Sequence, residues 1–128
     1  MNFLERINKV CTNLDYKYNI NSGGCCFVAY CIAKELEERN ISYNLIVYNY
    51  YGPEFGITEG NHYAIKVGDY VINRDGCNDF HKEYEIDSDE LYMLYYNNPW
   101  NTDYSKRWNL IVETILHSKF RKYDNKRE

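Results

Sequence analysis

The chain has 128 residues, 45% of them apolar and 27% charged, a balance that supports a packed core and excludes a disordered or fibrous chain. Its net charge of −4 gives no general attraction to a phosphate backbone, and no run of roughly 20 apolar residues is present to span a bilayer. Nucleic acid and membrane are therefore not expected partners.

This length suits one domain, residues 1–128, with no linker or internal repeat to divide it. The first residues, with Glu5 and Arg6 among them, lack the apolar run of a signal peptide, so a cytoplasmic protein is expected. The five cysteines, Cys11, Cys25, Cys26, Cys31 and Cys77, have neither the even count nor the spacing of a disulfide framework, which predicts reduced thiols. Lys119, Arg121, Lys122, Lys126 and Arg127 form a basic tail that reads as a solvated helix end.

In chain order, Phe3, Ile7, Val10 and Leu14 recur at helical spacing and predict a first helix ending near Tyr16. Asn19, Asn21, Ser22, Gly23 and Gly24 break it, and a second helix opens at Cys25. Val28, Ala29, Ile32, Ala33 and Leu36 share one face of that helix, Lys34, Glu37 and Glu38 look outward, and Asn40 is a suitable stop. Residues Tyr43 to Tyr50 are apolar on both alternating faces, as in a buried central strand. The stretch from Tyr51 to Asn61 holds Gly52, Pro53, Gly56 and Gly60 and reads as an irregular loop.

From His62 to Arg74 the pattern is a hairpin turning at Gly68-Asp69. Pairing Val67 with Tyr70 puts His62 on one face with Ala64, Asn73 and Asp75. The chain then reads as polar until Asp87, where Asp87-Ser88-Asp89-Glu90 resembles a helix-capping box, although the Tyr-rich run that follows also fits a strand. Trp108, Ile111, Val112, Ile115, Leu116 and Phe120 predict a closing helix over about 103–120.

Chemistry concentrates at Cys25. A helix N-terminus favours the nucleophilic thiolate, because unpaired N–H groups and the helix dipole place positive potential there. The two preceding glycines leave room for a substrate carbonyl. His62 is the candidate base, and Asn73 or Asp75 on its face can orient the ring through its far nitrogen. The Cys25 N–H is one candidate oxyanion donor, with a side-chain amide from Asn19 or Asn21 as the second. Cys26 and Cys31 read as packing residues, and His117 as an edge-of-core residue. A zinc site from Cys25, Cys77, His62 and His81 is set aside, since no pair has ligand-like spacing. No cofactor is expected. Tyr48, Tyr50, Tyr51 and Phe55 can floor a cleft before His62, although core packing is the commoner use of such rings.

The run Gly23-Gly24-Cys25-Cys26-Phe27-Val28-Ala29, followed by His62-Tyr63-Ala64-Ile65-Lys66-Val67 and Val71-Ile72-Asn73-Arg74-Asp75-Gly76, resembles the papain-like and transglutaminase-like cysteine superfamily over about residues 19–76. The resemblance implies an α+β fold, with a nucleophile helix packed on a small antiparallel sheet; the N- and C-terminal helices lie outside it. It further implies the order Cys25 nucleophile, His62 base, Asn73 orienter. The expected activity is amide or isopeptide hydrolysis, or acyl transfer, through a thioester on a protein or peptide substrate. The alternative is a catalytically silent papain-like fold that serves as a protein-binding or inhibitor module, for which 15 tyrosines supply suitable surface.

Overall fold

The computed structural model describes residues 2–18, 25–48, 62–74, 81–97 and 113–122. Among these, the fold is α+β, with four helices and a four-stranded antiparallel sheet. The helices are α1 (Phe3–Tyr18), α2 (Cys25–Glu38), α3 (Ser88–Tyr96) and α4 (113–121). The strands are β1 (Asn44–Tyr48), β2 (His62–Val67), β3 (Tyr70–Ile72) and β4 (His81–Tyr84), in the spatial order β3-β2-β1-β4.

Each helix end has a local cause. Helix α1 continues to Tyr18, two residues past the expected stop, with Ile7, Val10, Cys11 and Leu14 buried along one face. At the end of α2, Asn40 adopts φ 57, and two backbone bonds close the turn, Asn40 N–H to Glu37 O at 3.1 Å and Ile41 N–H to Leu36 O at 2.9 Å. This is a Schellman cap, and asparagine tolerates the left-handed conformation that it needs. Helix α3 starts at the expected box, Asp87 accepting the Glu90 N–H at 2.8 Å, which decides the Tyr-rich run as helix.

The hairpin has the expected register, Val67 opposite Tyr70 and Ile65 opposite Ile72. Of its two turn residues only Gly68 has positive φ, at 60°, the pattern of a type II′ turn. Strand β4 lies in the stretch before Asp87 that the sequence shows only as polar, without a strand pattern. His81–Tyr84 pairs with β1, Tyr48 opposite His81 and Leu45 opposite Tyr84. It is an edge strand with alternate residues exposed, and its one apolar side chain is Tyr84, so it lacks the alternation that marks a strand from sequence. Of the closing helix, residues 113–121 are described; Trp108, Ile111 and Val112 lie outside the described residues.

All four helices share one core with one face of the sheet. Ile7, Cys11, Val28, Ile32, Leu36, Leu91, Leu116 and Phe120 pack with Leu45, Val47, Tyr63, Ile65 and Ile72. The other face carries a smaller buried group, Ile46, Tyr48 and Ala64, with Val71 against it. Helix α2 is buried on most of its circumference, Glu35 included, so it is a central helix rather than a surface one. Glu35 is matched by Arg39 Nε at 3.1 Å and His117 Nδ1 at 3.8 Å, and Arg39 also donates to the Phe120 carbonyl at 3.4 Å, joining α2 to α4.

Cys11 has no solvent exposure, and burial, reinforced by the Asp15 charge, pushes its thiol from 9.0 up to about 12. Burial does the same to Cys26, which also reaches about 12. A thiol whose folded value lies above its unfolded one stabilises the fold fully below the unfolded value and progressively less as pH rises toward the folded one. The denaturant midpoint should therefore fall between about pH 9 and 12. In Cys11→Ala the fall should be shallower, whatever that variant loses in packing. Parallel curves for the two proteins would show that Cys11 is not one of the groups responsible.

Candidate active site

Cys25 and His62 occupy equivalent positions in their elements: Cys25 is the first residue of α2, and His62 is the first residue of β2. Both are enclosed, at 6% and 2% exposure. Helix α2 packs directly against β2, so the two carriers are neighbours. Cys25 belongs to the large core cluster, whereas strand alternation sets His62 on the face of Tyr48 and Ala64. The helix that carries the thiol thus covers one face of the sheet, and the ring lies on the other, rather than both on one face.

The other described thiols are ordinary core residues. Cys26 lies at 3.9 Å from the Leu91 carbonyl, to which its thiol can donate, and burial suppresses its thiolate. Cys31 is pushed well above the usual thiol range by burial, with the Glu113 and Cys11 charges adding to it. Among the described residues, Cys11, Cys25, Cys26 and Cys31 form no disulfide with one another.

The ring of His62 is held from one side by the turn after β3. Its Nε2 lies 2.7 Å from the main-chain oxygen of Asn73. A carbonyl only accepts, so Nε2 carries the proton, and in the neutral ring the lone pair is on Nδ1. Asn73, expected as an orienter, touches this ring nitrogen through its backbone carbonyl. Asn73 is buried, with φ 63, and this left-handed conformation turns its carbonyl out of the β3 ladder toward the histidine.

One residue of the arrangement has no sequence signal. Asn8, on α1, accepts the Asn73 N–H through Oδ1 at 2.7 Å, from 65 positions away. A polar residue on the half-exposed flank of an amphipathic helix reads as solvated surface. Across the same face of the sheet, Tyr48 is flanked by His62 and His81, with ring centroids 6.2 and 5.7 Å apart. That row also depends on β4, the strand that the sequence reading did not contain.

Asn19 and Asn21, the candidate oxyanion donors, and Asp75, the alternative orienter, lie outside the described residues, as do Cys77 and the loop residues Tyr50, Tyr51 and Phe55. Among the described residues no group of three or more His, Cys, Asp or Glu side chains is placed to hold a metal ion. No described helix is long and apolar enough to cross a membrane.

Comparison with protein-family models, with curated proteins and with solved structures returns no match to this chain. The functional reading rests on the residues themselves.

Proposed function

We propose that the protein is a papain-like, cysteine-dependent amide hydrolase or acyltransferase acting on a protein or peptide in the cytoplasm. The observation that carries this reading is the 2.7 Å contact from His62 Nε2 to the Asn73 carbonyl, which assigns the basic lone pair to Nδ1. The Cys25 thiol, at the start of a helix, is the proposed partner of that base. In the proposed reaction His62 Nδ1 takes the Cys25 proton, and Sγ attacks the amide carbon. The tetrahedral intermediate then expels the amine, which leaves with that proton, and a thioester forms. Water or an acceptor amine, deprotonated by the same nitrogen, attacks the thioester; the C–S bond breaks and the thiol is restored. The Cys25 N–H would support the oxyanion.

A second reading is favoured by the surface. Tyr92, Met93 and Tyr96 on α3 are 41%, 51% and 52% exposed, and the Tyr92 and Tyr96 rings stack at 6.2 Å. A silent papain-like fold could use such a face to bind a protein partner. The two readings part at the thiol. Incubation with a peptidyl thioester or activated ester, followed by mass mapping, should give an acyl adduct on Cys25 that is absent from Cys25→Ala. Acylation of no cysteine, or of all alike, would favour the binding module.

A further inference from the structure

We infer that Asn8 is a positioning residue for the His62 base, acting through the Asn73 turn; the role in turnover rests on the proposed Cys25–His62 chemistry, whereas the effect on the ring does not. Three observations form one chain of contacts. The Asn8 Oδ1 accepts the Asn73 N–H at 2.7 Å, Asn73 has φ 63, and the Asn73 carbonyl meets His62 Nε2 at 2.7 Å. Directly after β3, the N–H and the C=O of this left-handed residue each meet a side chain. Asn8 takes the first and His62 takes the second.

The Asn8 side chain is carried by helix α1, which packs against β3, so the acceptor sits on a rigid element. The N-terminal helix, which lies outside the resemblance in sequence, thereby becomes part of the site's support.

The test is the tautomer of His62, read from the 15N shifts of Nδ1 and Nε2 and assigned with His62→Gln. The wild-type ring should be the Nε2–H form. Asn8→Ala should give a mixture of tautomers and slow Cys25 alkylation about tenfold, the factor that one neutral hydrogen bond commonly supplies. Asn8→Asp keeps the acceptor and should retain the wild-type tautomer. Should Asn8→Ala fail to fold, Asn8→Gln, which keeps the amide but displaces its oxygen, takes its place. A tautomer unchanged in folded Asn8→Ala or Asn8→Gln overturns the inference, even where stability falls. A tautomer that shifts while Cys25 reactivity stays constant supports the positioning of the ring and instead refutes the thiol enzyme.

Discussion

Replacing His62 by alanine should slow alkylation of Cys25, and any acyl transfer through it, by about 10²-fold or more, the usual contribution of a positioned general base. The Asn73 series should behave quite differently from the removal of an orienting side chain. Because the contact to Nε2 is made by the main chain, Asn73→Gly keeps the carbonyl and adopts φ 63 without strain, so it should retain most of the reactivity. Asn73→Val keeps the same carbonyl but strains the backbone, at a cost of about 1–3 kcal/mol, and should lose reactivity together with stability. Orientation by the Asn73 side chain predicts instead that Gly and Val are equally impaired, at unequal stability. Rates of thiol modification, measured beside denaturant midpoints, separate the two.

The largest effect on stability is expected at Phe120. It is 1% exposed, it sits on α4, and it packs in the same cluster as α2 and the helix-covered face of the sheet. Truncation of a buried phenylalanine costs about 3–5 kcal/mol, through lost burial and the cavity left behind. Against a typical total of about 5–15 kcal/mol this is a large fraction, enough to lower the melting temperature by about 10–20 °C. The carbonyl that receives Arg39 is main chain and survives in Phe120→Ala, so the loss reports packing and not the Glu35–Arg39 link. Lys119→Ala, on the exposed side of the same helix, should change stability by less than about 0.5 kcal/mol. A loss under about 1 kcal/mol in Phe120→Ala would mean that α4 is not an integral part of the core.

The elements that the sequence revealed are those whose burial is one-sided or complete. Helix α1 carries Ile7, Val10 and Leu14 on one stripe, and β1, with Leu45 and Val47 on one face and Ile46 and Tyr48 on the other, reads as a continuous apolar run because both faces are covered. The hairpin was legible for a local reason, Gly68 at the turn with apolar alternation on each side. Strand β4 was not, because an edge strand is held by the backbone ladder to β1 and carries charged residues on both faces, half-buried Lys82 on one and exposed Glu83 on the other. Glu83 in fact joins the sheet through Lys66 at 3.0 Å and Asn44 at 2.6 Å, cross-strand partners that appear only once the register is known.

In the site, Cys25 and His62 were legible as residue types at element starts, and Asn73 as a residue on the histidine's face. The atom that Asn73 contributes was not, since it depends on a backbone φ of 63° that alternation does not encode. Asn8 was illegible for a similar reason. Its contact is set by the packing of α1 on β3, across 65 residues of chain.

The claim that Cys25 is a thiol activated by its helix and by His62 is tested most directly by the pH profile of iodoacetamide alkylation, resolved for each cysteine by mass spectrometry, in the wild type and in His62→Ala. Cys25 should react fastest at neutral pH, with its midpoint below the ordinary value of about 8.5. Cys11, Cys26 and Cys31, whose thiols are pushed upward by burial, should stay slow, and the advantage of Cys25 should collapse in His62→Ala. A Cys25 that reacts no faster than these three, or whose profile is the same with and without His62, would contradict it.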